Sequence, residues 1–283
     1  MLGGGVPLCK ITEVCGVPGA GKTQMCMQLA VDTHIPESLG GLGGEAIYVD
    51  TEGGFVIDRM VDIAEATVQH CRFIAEQEGL GPTNCLTVDA ILAGTHYLRC
   101  QDHVELTAIV HLLPKLLKQH EKVRLVVIDS IACPFRNHFD DMSVRTRLLA
   151  TLAQSFIKIA SQFKVAIVLT NQMTTKITAG ASCSHLIPAL GQSWSHASTV
   201  RVVLSLEDHK RTALLLKSPH KPESSCAFQI TKDGIRGVLQ DNQIADSSSC
   251  CSSQAADTSC HVSVTTKTDG VGSYLPLKKQ RIT

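Results

Sequence analysis

Four short stretches carry residue types suited to phosphate chemistry. The first, Gly16-Val17-Pro18-Gly19-Ala20-Gly21-Lys22-Thr23, followed by Gln24, has the spacing G-x-x-x-x-G-K-T of a phosphate-binding loop. Its glycines let backbone N–H groups curl around phosphate oxygens with no side chain in the way. Lys22 adds a point charge within reach of the outer phosphates, and the Thr23 hydroxyl is a hard oxygen of the kind Mg²⁺ prefers. The other three are Asp50/Glu52, Asp129/Ser130 and Asn171/Gln172, each placed after an apolar run. Asp129 closes the run Leu125-Val126-Val127-Ile128 and reads as a Walker-B carboxylate, holding Mg²⁺ directly or through water. Glu52 reads as the general base that activates a water against the γ-phosphate. Gln172 reads as the group that senses that phosphate and passes its presence to the chain beyond. ATP and Mg²⁺ are the expected cofactors. An Asp at a strand end is commonly a turn former or a helix cap, so it is the joint placement that carries this reading.

These groups meet only if the elements carrying them line up. Lys10 to Cys15 alternates like a strand, and after Gly21 the pairs Met25/Leu29 and Cys26/Ala30 have helical spacing, which puts the loop at a helix N-terminus. Residues 46–50, 96–100, 124–129 and 164–170 read as further strands; 56–78, 104–120 and 143–163 read as helices. The strands are near-continuous apolar runs, as a parallel sheet covered on both faces requires. In such a sheet the carboxyl ends of the strands face one crevice. From Thr199 the runs shorten to 201–206, 213–216 and 227–230, with His209-Lys210 as a polar turn. The expected fold is therefore α/β: a mostly parallel twisted sheet, helices on both faces, and an antiparallel C-terminal extension.

Bulk properties constrain the rest. The chain has 283 residues, 44% of them hydrophobic, enough for one large core. Formal net charge is +0, so any nucleic-acid site must come from local clustering. The 12 cysteines are scattered, with no Cys-x-x-Cys and no histidine spacing suited to zinc. Cys9, Cys15, Cys26 and Cys100 fall in or beside expected elements as small hydrophobes, which favours a reducing intracellular compartment. No apolar run approaches a membrane span and no signal-peptide pattern is present, so no membrane association is expected. The opening Met1 to Pro7 leaves little chain before the first strand, which suggests a shortened product. From Asp241 onward Ser, Cys, Thr, Asp and Gln dominate, and 241–283 are expected to form a disordered tail bearing the basic cluster Lys278-Lys279-Gln280-Arg281.

Asp50-Thr51-Glu52-Gly53-Gly54-Phe55, Leu169-Thr170-Asn171-Gln172 and Gly16 to Gln24 together resemble the RecA family of recombination ATPases, in its eukaryotic branch. Cys26 to Val31, Val123 to Asp129, Asp140-Asp141, Arg145 to Leu149 and Asn171 to Lys176 are similar, more narrowly, to its recombinase-paralogue group lettered C. The resemblance covers about residues 2–235 and implies a RecA-like P-loop ATPase core, taken here as residues 1–240. It implies a subunit of a paralogue hetero-complex acting in homologous recombination and double-strand-break repair, located in the nucleus with the cytoplasm as a second site. It also implies an N-terminal helical domain and linker, which this sequence does not include.

The resemblance directs attention to two DNA-contacting segments. The first, 131–142, holds Phe135, Arg136, His138 and Phe139; the second, 174–190, is Gly-, Ser- and Thr-rich with Lys176 and reads as a mobile loop. Between 131 and 200 six basic residues, Arg145 among them, stand against two acidic ones. Phe135 and Phe139 have two readings: stacking platforms for single-stranded bases, or packing beneath the loop. Asp140-Asp141 tempers the positive charge, so single-stranded or branched DNA should bind weakly to this subunit alone. His196 and Lys217 match positions that face a neighbouring subunit's nucleotide. Lys217 could supply charge in trans, as an arginine finger does, or be an ordinary solvated lysine. Two other functions stay open beside a DNA-dependent ATPase. One is an ATP-gated assembly scaffold with little turnover. The other is a small-molecule P-loop kinase, which would need an Arg-rich lid where 174–190 has no arginine.

Overall fold

In the computed structural model, residues 1–80, 86–136, 139, 141–177 and 184–238 are described. In chain order the elements are β1 (Ile11–Gly16), α1 (Lys22–Asp32), β2 (Glu45–Asp50), α2 (Ile57–Gln77), α3 (Val88–Ala93), β3 (Thr95–Arg99), α4 (His103–Gln119) and β4 (Val123–Asp129). There follow α5 (Met142–Phe163), β5 (Ala166–Ile177), β6 (Ser184–Pro188), α6 (Gly191–Ser195), β7 (Val200–Glu207), β8 (Lys210–Lys217), β9 (Ser224–Thr231) and β10 (Gly234–Gly237). The tail 241–283 and its basic cluster lie outside the described residues.

One sheet runs in the order β10-β9-β8-β7-β1-β5-β4-β2-β3, with β6 attached to β5. All neighbours from β7 to β3 along that order are parallel, whereas β7–β10 are joined antiparallel. The expected α/β architecture with an antiparallel extension is the one found. The central strands β1, β2 and β4 are buried on both faces, and alternate side chains of the sheet feed two cores. Tyr48, Leu125 and Val127 meet Met27 of α1 and Ile63 of α2 on one side. Ile47, Val126 and Ile128 meet Leu113 of α4 and Phe156 of α5 on the other. Period-2 alternation in a strand thus serves two helical layers at once.

Helix starts follow local chemistry. The Asp102 side chain accepts from the N–H groups of Val104 and Glu105, and Asp141 accepts from that of Ser143. Each satisfies donors that a first turn leaves unpaired. The turn between β7 and β8 is Asp208-His209, both at positive φ (45° and 64°), and Lys210 is already in the strand. Two-residue hairpin turns of that handedness match strand twist, which corrects the expected His209-Lys210 turn by one residue. Segment 174–190, expected as a loop, is extended over 174–177 and 184–188 and turns at Ala189-Leu190. β5 continues to Ile177 and pairs antiparallel with β6, Thr174 opposite Ile187. Cys15, Cys26 and Cys100 are buried, but Cys9 is half-buried at positive φ (61°), a turn residue and not a core one. Among the described residues no helix is long and apolar enough to cross a membrane.

Candidate functional site

Gly16 ends β1 at the centre of the sheet, between β5 and β7, and Lys22 opens α1. The intervening turn needs its glycines. Gly21 caps the helix at φ 109°, and Gly19 sits at φ 79°, conformations that L side chains avoid. A Cβ on Gly21 would also come within 2.8 Å of Ile230 Cδ1, so β9 closes over the loop. Arg59 helps hold that closure. Its Nε donates to Gln24 Oε1 (2.7 Å) while its guanidinium reaches the carbonyls of Thr231 and Lys232. The candidate phosphate loop is therefore framed by α1, α2 and β9.

Three further strand ends open onto this loop. Lys22 Nζ donates to the carbonyls of Gly16 (2.9 Å) and Val17 (3.1 Å). Burial lowers its pKa, while the charges of Glu52 and Asp129 oppose that fall. Glu52 Oε1 accepts from Ser130 Oγ (2.5 Å) and from Gln172 Nε2 (2.7 Å). Four sequence-distant strand ends thus meet, as their spacing led us to expect.

Asp129 is 3% exposed. Burial raises its pKa, and hydrogen bonds from Thr170, Thr23 and Tyr48 oppose that rise. Thr170 Oγ1 reaches Asp129 Oδ1 at 2.5 Å and the Tyr48 hydroxyl reaches Oδ2 at 2.9 Å. Asp50 has a different part. Its Oδ1 accepts from the backbone N–H groups of Glu52 (3.0 Å), Gly53 (2.7 Å) and Gly54 (3.3 Å), so it winds the turn that presents Glu52. Arg99 and the Tyr97 hydroxyl hold Asp50 from β3.

Residues 1–238 match the Rad51 family profile. The chain belongs to the Rad51 family. It is 52% identical over 240 residues to the protein named DNA repair protein RAD51 homolog 3 of Cricetulus griseus, which spans 83% of this chain and 65% of that one. It is 43% identical over 239 residues to the protein of the same name in Dictyostelium discoideum, covering 84% and 63% of the two chains. DNA repair and recombination protein RadA of Aeropyrum pernix is 34% identical over 242 residues, covering 83% and 69%. The match thus spans slightly less than two thirds of the first two relatives. The resemblance to the recombinase paralogues, drawn from motifs, holds. Rad51 and RecA proteins are ATPases that use ATP with Mg²⁺.

On this Rad51-family core the expected DNA segments flank a cleft of about 410 Å³ beside Gln172, lined among others by Phe135, Arg136, Phe139 and Arg145. Arg136 is exposed, and Arg145 is half-buried with its Nε on the carbonyl of Phe135 (3.1 Å). Phe135 corrects the stacking-platform reading. It is 2% exposed, packed against Phe139 (ring centroids 5.9 Å apart) and against His103. A side chain so buried supports the loop and offers no open face to a base. His138 and Asp140 lie outside the described residues, as does the side chain of Lys176, whose backbone is in β5.

His196 is exposed at the C-cap of α6. Lys217 Nζ donates to the carbonyls of Ser195 (3.2 Å) and Ser198 (2.6 Å), on either side of it. Lys217 is exposed, yet these two carbonyls hold its ammonium against its own chain; partial burial lowers its pKa.

What spacing did not disclose is Glu13. This wholly buried carboxylate in β1 accepts from Asn171 Nδ2 (2.7 Å) and Trp194 Nε1 (3.0 Å) on Oε1. Its Oε2 accepts from Ser198 Oγ (3.1 Å), Arg201 Nε (2.8 Å) and Arg201 Nη2 (2.6 Å). Asn171 also spans to the carbonyl of Ala189 (2.9 Å) and accepts from the Gln172 N–H (2.8 Å). One carboxylate thereby anchors the Gln172 strand, the end of the β5–β6 hairpin and the segment carrying His196. The available signal was a lone acidic residue inside a central strand whose one other polar side chain is Thr12.

Proposed function

We propose that this chain is the ATP-binding, DNA-dependent ATPase core of a recombinase-paralogue subunit, acting in homologous recombination and double-strand-break repair in the nucleus. The observation that carries the reading is the Glu52 carboxylate. Gln172 and Ser130 hold it through one oxygen, leaving Oε2 for a water, in the same crevice as Lys22. ATP phosphates would lie on the N–H groups of Gly16 to Gln24, at the start of α1, where backbone dipoles favour anions. Lys22 would exchange its two loop carbonyls for phosphate oxygens. The Thr23 hydroxyl and the Asp129 carboxylate form an all-oxygen pair that suits Mg²⁺, and among the described residues the buried Asp129 carboxylate has hydroxyl donors and no cationic side chain hydrogen-bonded to it. When bound, Mg²⁺ neutralises phosphate charge. Glu52 would take the proton from the attacking water, and Gln172, at the root of the β5–β6 hairpin, would link that event to the cleft holding Arg136 and Arg145. DNA and related paralogues are the partners proposed, with His196 facing a neighbouring subunit.

Lys22→Ala tests the loop directly. Charge-assisted hydrogen bonds contribute roughly 1.5–3 kcal/mol, so ATP affinity should fall about tenfold to a hundredfold by titration calorimetry. Unchanged affinity would remove the basis for the assignment.

A further inference from the structure

At the end of the sheet opposite the nucleotide crevice, three metal-ligating side chains face a common point. Glu45 opens β2, His96 is in β3, and His120 caps α4 just before β4. His96 Nε2 lies 2.9 Å from Glu45 Oε2, and His120 Nδ1 lies 4.0 Å from the same oxygen. One ligand atom from each of the three falls within 4.8 Å of the others. The imidazole rings pack with centroids 4.2 Å apart. Their side chains are 28% (His96), 25% (Glu45) and 40% (His120) exposed, so the point is shielded yet open to an ion from solvent.

The backbones behind these groups are fixed. Ala46 and Thr95 are register partners, the Glu45 N–H bonds the carbonyl of Lys122 (2.9 Å), and the Val123 N–H bonds that of His120 (3.1 Å). Zn²⁺ binds imidazole nitrogen and carboxylate oxygen at about 2.0–2.2 Å, which sets tetrahedral ligand atoms roughly 3.4 Å apart. The observed 2.9 and 4.0 Å bracket that spacing, so small side-chain rotations suffice. His34 stands beside the trio, where a Cβ on Gly94 would touch both its ring and Glu45 Cγ.

We propose that Glu45, His96 and His120 bind one Zn²⁺, with water completing the coordination. Two imidazoles and a carboxylate are borderline ligands that suit this ion. The ion would tie the edge strand β3 and the end of α4 to β2, a structural clip separate from nucleotide chemistry. Positions 45, 96 and 120 share no spacing motif, which is why the histidine spacing in the sequence predicts no zinc.

The test uses the full chain, reduced and stripped by chelator, titrated with ZnCl₂ against a chromophoric chelator and, in parallel, with Co²⁺. The parent should bind one more tight equivalent than His96→Ala/His120→Ala. The Co²⁺ absorption lost in that double variant should be visible d–d intensity, with no loss of the near-ultraviolet charge-transfer band that marks thiolate ligands. Zn²⁺ at a hundredfold excess over Kd should raise the parent Tm by roughly 5–10 °C, and the double variant should lose that increment. His120→Ala alone, at the most exposed of the three groups, keeps the fold intact and should weaken binding by about tenfold or more. Equal stoichiometry and affinity in parent and double variant would overturn the proposal, as would saturation only at millimolar Zn²⁺.

Discussion

Glu13→Gln should unfold this protein far more readily than its one-atom change suggests. Five donor contacts converge on the Glu13 carboxylate, from Asn171, Trp194, Ser198 and two nitrogens of Arg201. An amide presents one NH₂ group to that ring of donors. Turned one way it opposes Asn171 and Trp194; turned the other it opposes Ser198 and Arg201. Arg201, itself only 9% exposed, keeps its charge with no counter-charge bonded to it. Breaking a buried pair from one side costs roughly 3–5 kcal/mol, a large share of the ~5–15 kcal/mol typical of native domains. At about 2–4 °C per kcal/mol for a domain of this size, Tm should fall by roughly 6–20 °C. Urea denaturation followed by far-UV circular dichroism measures the loss. Fluorescence of Trp194, the chain's one tryptophan, reports the same site. Glu13→Leu/Arg201→Met, which removes both charges, should be more stable than Glu13→Gln. A Glu13→Gln loss below about 1 kcal/mol, the ordinary contribution of a hydrogen bond, would refute the network's structural weight.

Two further outcomes follow from the same structure. Burial raises the Asp32 carboxyl from 3.8 to about 6. The folded state therefore holds a proton that the unfolded state has lost between those values, and stability falls as pH rises through them. Asp32→Asn, which keeps the acceptor for Gln28, should stabilise at pH 7–8 by on the order of 1–2 kcal/mol and by nothing below about pH 4, read from urea midpoints across pH. Arg136→Ala should weaken single-stranded DNA binding at every sequence and lower the slope of log K against log salt by about 0.7, measured by fluorescence anisotropy. An unchanged slope would take Arg136 out of the DNA contact.

The sequence disclosed the nucleotide crevice because its parts obey local rules. A loop of fixed spacing must sit between strand and helix, and polar residues closing apolar runs must sit at strand ends, so Lys22, Glu52, Asp129 and Gln172 were legible. Long-range polar pairing was not. Glu13 finds its partners 158 to 188 residues away, and no periodicity predicts which buried donors will surround it. Phe135 was ambiguous for a related reason: an aromatic beside an arginine in a connecting segment reads alike whether it faces a base or His103 and Phe139. Small polar residues in 174–190 suggested a loop, yet β5 carries its pairing onward to Ile177 because β6 supplies the partner edge. Propensity alone cannot anticipate that edge.

The central claim is that this crevice hydrolyses ATP through Glu52. The most direct measurement is steady-state phosphate release, with and without single-stranded DNA, for the parent and Glu52→Gln. The amide keeps an oxygen for the Ser130 and Gln172 hydrogen bonds but cannot accept the proton from water. The account predicts DNA-stimulated turnover in the parent, a fall of about 10²–10⁴ in Glu52→Gln, and ATP affinity retained in both. Equal turnover in the two proteins, or none in the parent at full ATP occupancy, would contradict it and leave bound nucleotide a role in assembly alone.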